Sequence, residues 1–189
     1  AGISTGMRVL DVGCGIGDVA FLAADLVGPS GEVIGADSAA AAVDRATARA
    51  HARDFGNVRF LEGDPAELQF DREFDAIVGR IVLMYYPDPV DTIRKLAGHL
   101  RGGRLIVFQE SDFANCRSLP LAPIFERHVG WIKQALSGSG ARIQIGLELY
   151  SILLAAGLPD PSMRMDALIG GGPDAPSYDL VAEGIGSLL

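Results

Sequence analysis

Residues 8 to 18, Arg8-Val9-Leu10-Asp11-Val12-Gly13-Cys14-Gly15-Ile16-Gly17-Asp18, constrain the fold of this chain more than any other stretch. Val9, Leu10 and Val12 give β-propensity to a run too short for a helix, and glycines follow at alternate positions. Glycine enters positive φ without a steric penalty and lets backbone approach a bound molecule closely. The next residues, Val19 to Val27, are strong helix formers stopped by Gly28 and Pro29. The turn therefore ends at a helix N-terminus, whose free N–H groups favour polar or anionic ligand atoms. The stretch reads as a buried strand feeding a nucleotide-binding turn.

Spacing narrows the ligand. The dinucleotide fingerprint needs glycine at its first, third and sixth positions, and the sixth position counted from Gly13 is Asp18. The pattern present is acidic-x-Gly-x-Gly-x-Gly, with Asp11 as the acid, and it resembles motif I of the class I S-adenosylmethionine (SAM) dependent methyltransferases. That resemblance implies that Asp11, Gly13, Cys14, Gly15 and Gly17 line a cofactor site.

Composition sets the outer limits. A chain of 189 residues is long enough for one well-buried domain, and 49% hydrophobic with 21% charged residues fits a globular interior. The net charge is −8 and the 16 basic residues are scattered, which argues against nucleic acid as substrate. Apolar stretches such as Leu149 to Leu158 are too short to span a bilayer, and no basic-then-apolar segment opens the chain. The expectation is a soluble, cytoplasmic protein with no membrane partner. Cys14 and Cys116 form neither a close pair nor a metal-ligand cluster, so no disulfide framework or metal site is expected.

The second strand, around Glu32 to Asp37, ends in an acid roughly twenty residues past the turn, the spacing at which a carboxylate meets ribose hydroxyls. Asp37 is the expected ribose ligand, and Ser38 is free to cap the helix predicted over Ala39 to Phe55. Asn57 to Leu68 repeats the grammar of strand, acid and turn. Its Gly63-Asp64-Pro65-Ala66-Glu67-Leu68 is similar to the family's adenine-binding segment, which implies that Asp64 accepts the exocyclic amine beside Pro65. Glu73 to Arg80 is the fourth strand, and the resemblance places Gly79 and Arg80 beside the methionine tail of the cofactor. Many small-molecule members carry histidine near position 85, where this chain has Tyr85 and Tyr86.

Asp88 and Pro89 open a helix whose stripe is Ile93, Leu96, Ala97 and Leu100, ended by Arg101-Gly102-Gly103. Arg104 to Glu110 is strand five. Strands alternating with helices predict a doubly wound, Rossmann-like α/β fold, with a mostly parallel sheet covered on both faces and ligands at the strands' carboxyl ends. A helix from about Leu119 to Leu136, with Leu121, Ile124, Phe125, His128, Val129, Ile132 and Leu136 on one face, reads as part of a lid over about residues 111–140. Gly146 to Ala156 reads as a shorter helix, Pro161 to Ile169 as a sixth strand and Ser177 to Leu189 as a last helix. Family members usually have helices before motif I and a seventh strand, so the resemblance implies a single domain that is a fragment or incompletely represented.

The expected function is methylation of a small, largely apolar metabolite on oxygen, nitrogen or carbon, similar to the ubiquinone/menaquinone methyltransferases. A catalytically silent SAM-binding module is the alternative, and glycine spacing disfavours an NAD-type oxidoreductase. Acceptor-side candidates are Tyr85, Tyr86, Gln109, Glu110, Phe113, His128 and Trp131. Glu110, at a strand's carboxyl end, and His128, on the lid helix, could take a proton from a hydroxyl acceptor.

Overall fold

The computed structural model describes residues 2–167 and 170. The elements run β1 (Arg8–Val12), α1 (Asp18–Val27), β2 (Glu32–Asp37), α2 (Ala40–Ala52), β3 (Val58–Glu62), β4 (Phe74–Arg80), α3 (Pro89–Ala97), β5 (Leu100–Gln109), α4 (Pro123–Gly138) and α5 (Ile145–Ala155). A short 3-10 turn, Leu83–Tyr85, follows β4. The five strands form one sheet in the order β3-β2-β1-β4-β5, and every pairing is parallel. The chain reverses direction across the sheet between β1 and β4, whose carboxyl ends open a crevice.

Alternation along the strands explains the two covered faces. Val9, Val33, Ala76 and Val78 pack with Ala20, Ala23, Ala24 and Val27 of α1, while Leu10, Ile34 and Ile77 pack with Ile93 and Leu96 of α3 and with α5. Residues one apart point to opposite faces, so central strands buried on both sides carry apolar residues at successive positions. β1 is buried at all five positions.

Several boundaries differ from the sequence reading. The helix α3 ends at Ala97 with Gly98 as its cap, and Leu100 lies in β5 opposite Phe74, not in the helical stripe. Glycine's poor helix propensity and the Phe74 N–H donated to His99 O, 2.9 Å, hand the chain to the sheet there. A register shift between Phe74 and Ala76 absorbs the extra residues of β5. The helix α2 stops at Ala52, short of Phe55, and Asp54 takes a positive φ of 56°. Helix α4 begins at Pro123 rather than Leu119, because proline fixes the first helical position and bars α-conformation just before it. Its only buried residue is Val129; Leu121, ahead of the helix, is 73% exposed and Ile124 64%. No strand occupies residues 161–167; Leu168 and Ile169, and the helix predicted over Ser177 to Leu189, lie outside the described residues.

The amino ends of the strands are held by a buried cation. Arg8 is 5% exposed; it bonds Glu32 at 2.7 Å and Asp71 at 2.6 Å, donates to Arg72 O, and lies 4.5 Å from the Phe74 ring centroid. Arg8→Met should remove the buried cation of this network and lower the unfolding free energy by about 2–3 kcal/mol, less than the usual loss for a broken buried pair because Glu32 and Asp71 are partly solvated and keep Arg59 and Arg72. Urea titration measures this, and an unchanged midpoint would mean that solvent already screens the network.

Candidate functional site

The glycine turn is built by contacts that differ at each glycine. Gly13 N and Cys14 N both donate to Ala36 O, at 2.9 and 3.1 Å, which pins the turn to the end of β2. Gly13 has φ +64°, and a Cβ there would lie 2.2 Å from Val82 Cγ2. At Gly17, φ +92°, a Cβ would lie 2.8 Å from Phe60 Cζ. A Cβ on Gly15, φ +51°, would meet nothing within 4 Å, so this glycine keeps an open side. Arg49 of α2 holds the turn from outside, donating to Ile16 O at 2.5 Å and pairing with Asp18 at 2.8 Å. The sequence carries no signal for Arg49, one of several arginines on the polar side of an alanine-rich helix.

A cleft of about 250 Å³ opens beside this turn, lined by Asp11, Gly13, Cys14, Gly15, Asp18 and Arg80 among others. Asp11 is 1% exposed, and its Oδ2 has no hydrogen-bond partner among the described residues. Burial pushes its carboxyl up to about 7, against the opposing pull of the Ala20 backbone and Arg80, with Asp37 and Asp18 adding to the rise. Burial also pushes the Cys14 thiol up, helped by Asp11 and Asp37, so this cysteine is a neutral wall residue and not a nucleophile.

Asp37 stands at the tip of β2. Its Oδ2 accepts from Gly15 N at 2.8 Å and its Oδ1 from Ala39 N at 2.9 Å. Ser38 is exposed and does not cap α2, because the helix starts one residue later, with Ala39 as its N-cap and no side-chain hydrogen bond. Gly63 N donates to Asp37 O at 2.9 Å, which brings the turn after β3 alongside. In that turn Asp64 is half-buried, Pro65 is buried, and Asp64 Oδ1 accepts from Ala66 N at 2.9 Å and from the Tyr86 hydroxyl at 2.8 Å. Asp11, Asp37 and Asp64 thus follow one another along the carboxyl edge of β1, β2 and β3.

The loop after β4 forms the other wall. Gly79 is needed for close packing, since a Cβ there would lie 2.6 Å from Phe108 Cε1. Arg80 is exposed at the strand tip, and Ile81 takes φ +54°, a strained conformation for a β-branched residue. Ile81 N donates to Gln109 O at 2.8 Å. Glu110 Oε1 accepts from Val82 N at 2.9 Å and Leu83 N at 2.8 Å, at the start of the 3-10 turn. Its Oε2 is buried without a partner among the described residues, and burial raises its carboxyl pKa. Burial, then the Glu110 charge, raises the half-exposed Tyr85 phenol. The His128 ring lies 5.2 Å from Trp131, and among the described residues no hydrogen bond or ring contact joins it to Glu110 or Tyr85. Phe113 N donates to Ile143 O and Arg142 N to Met84 O, both at 2.9 Å, so the excursion containing α4 leaves and rejoins the fold beside this loop.

A family described as "Methyltransferase domain" matches residues 3–135. The demethylmenaquinone methyltransferase of Lactococcus lactis is 31% identical over 125 residues, 65% of this chain and 47% of that protein. The aklanonic acid methyltransferase DauC of a Streptomyces species is 36% identical over 110 residues, 58% of this chain and 50% of that protein. The chain spans about half the length of these curated relatives. The crystal structure of YcgJ from Bacillus subtilis superposes with a TM-score of 0.71 at 24% identity, covering 97% of this chain and 73% of that one, a likeness of fold. No described helix is long and apolar enough to cross a membrane.

Proposed function

The chain belongs to the methyltransferase domain family, whose methyl donor is S-adenosylmethionine, and on that premise we propose that it methylates a small, largely apolar metabolite. The observation that carries the reading is the row of carboxylates on the sheet's carboxyl edge, with the unpartnered buried Oδ2 of Asp11 in the wall of an open cleft. An orphaned buried carboxylate oxygen calls for a cationic or donor group. The cofactor offers an ammonium for Asp11, ribose hydroxyls for Asp37 and an exocyclic amine for Asp64. Gly15 keeps the approach clear of side chains, while Cys14, Gly17, Ser38, Pro65, Gly79 and Arg80 complete the proposed contacts.

When bound, the cofactor supplies an electrophilic methyl group. The protein's part is to hold the acceptor in line with it, which accounts for most of the rate in a displacement of this kind. Residues 111–140 serve as the lid, a role supported by the anchoring of this excursion beside the loop after β4. Where the acceptor is a hydroxyl, Glu110, His128 and Tyr85 are the candidates to take or steer its proton. A catalytically silent module has no observation of its own in its favour. The acceptors named for the relatives, demethylmenaquinone and aklanonic acid, support a small-molecule substrate here. Two free cysteines and the acidic charge support a cytoplasmic protein that does not act on nucleic acid.

Methyl-labelled SAM incubated with a bacterial metabolite extract tests the proposal: label is expected in an extractable small apolar product. SAM binding with no transfer to any extract component would favour the silent module. Asp37→Ala is expected to weaken cofactor binding about 10- to 100-fold, through loss of charge-assisted bonds to ribose and of the Gly15 tie. An unchanged affinity in the folded variant would reduce Asp37 to a turn residue.

A further inference from the structure

We infer that Tyr86 is a positioning residue for the base of the cofactor, acting through Asp64. The inference rests on the reading of Asp64 as the partner of the exocyclic amine. The Asp64 side chain is held on one oxygen only: Oδ1 takes both the Ala66 N–H at 2.9 Å and the Tyr86 hydroxyl at 2.8 Å. Its Oδ2 makes no hydrogen bond among the described residues. A carboxylate held by the Ala66 N–H alone can still swing about its terminal torsion, and the Tyr86 hydroxyl, as a second donor on Oδ1, fixes the plane in which Oδ2 faces the exocyclic amine.

Tyr86 is itself set from elsewhere. Its N–H donates to Leu83 O at 3.1 Å, its ring packs against the core, and Glu110 fixes the start of the turn that precedes it. Burial and the neighbouring Asp64 raise the phenol's pKa, so its proton stays on and the hydroxyl remains a donor. The loop after β4 thereby reaches across the crevice to the turn after β3. A tyrosine buried only for packing would leave base recognition untouched, which separates the two roles.

The test compares S-adenosylhomocysteine with its analogue lacking the exocyclic amine, titrated calorimetrically into the wild-type chain and into Tyr86→Phe. The wild type is expected to prefer the adenine compound about tenfold. In Tyr86→Phe the preference should fall to about twofold or less, with affinity for the amine-free analogue unchanged. A preference kept at the wild-type ratio would overturn the inference while leaving the cofactor reading intact. Wild-type protein binding neither compound would overturn that reading and the inference with it. Where Tyr86→Phe does not fold, Tyr86→Met, which also lacks the hydroxyl, takes its place with the same expected loss of preference, and a preference kept there would equally refute the inference.

Discussion

Gly13→Ala is expected to lower stability by about 2–5 kcal/mol and to weaken cofactor binding about 100-fold or more. Two costs add. An L-residue in the left-handed region costs about 1–2 kcal/mol, and Gly13 sits at φ +64°. The new Cβ would also lie 2.2 Å from Val82 Cγ2, and forced overpacking costs about 1–3 kcal/mol. Val82 cannot retreat freely, because its N–H is held by Glu110. The loop after β4 would then shift away from the cleft. Gly15→Ala is the control. It carries the backbone strain, φ +51°, but meets nothing, so it should destabilise less while still placing a methyl group on the open side of the turn. Thermal melts of both variants, with a titration of S-adenosylhomocysteine, check the pair. Wild-type behaviour of Gly13→Ala in both measurements would contradict the account of the turn.

Asp11 should make stability and cofactor binding respond to pH in opposite directions. Its folded-state pKa is about 7, against 3.8 when unperturbed, so the folded state holds a proton that the unfolded chain has released. The neutral form is present below about pH 4 in both states at no cost. As pH rises from about 4 to 7, the unfolded state gains a solvated carboxylate while the folded state resists one, and stability falls by on the order of 4 kcal/mol before levelling off. A ligand ammonium in the cleft reverses the preference and favours the ionised form. Affinity for S-adenosylhomocysteine should therefore rise with pH up to about 7 and then flatten. Asp11→Asn should be more stable than wild type at pH 8, with a flat binding profile. Equal pH slopes in the two proteins would show that Asp11 does not govern the response.

The parts of the fold legible in the sequence are those specified by neighbours in the chain. The apolar run of β1, the glycines and the following helix lie within twenty residues, and the central strands announce themselves by short runs of consecutive apolar residues. Asp37 is legible because it ends a strand just before a turn, and Asp64 because the segment Gly63 to Leu68 resembles the family's adenine-binding turn. The end of α3 was harder to read, since Leu100 fits a helical stripe as well as it fits β5. What decided it was a long-range bond, Phe74 N to His99 O. The α4 stripe misled for the converse reason: periodicity marks an apolar face whether or not another element covers it, and Leu121 and Ile124 stay exposed. Arg49 on Ile16 O, Glu110 on the 3-10 turn and Tyr86 on Asp64 join residues 22 to 33 positions apart, and no local pattern announces such partners. For Glu110 this matters to the chemistry, since one of its oxygens is committed to the backbone and only Oε2 is left for an acceptor.

The central claim is that the crevice at the ends of β1, β2 and β3 is a SAM site and not a dinucleotide site. Isothermal titration of the purified chain with S-adenosylhomocysteine and, separately, with NADH tests it most directly. Saturable one-to-one binding of S-adenosylhomocysteine, weakened about 100-fold or more by Gly13→Ala, with no heat from NADH, is the expected result. Binding of NADH with none of S-adenosylhomocysteine would contradict the account.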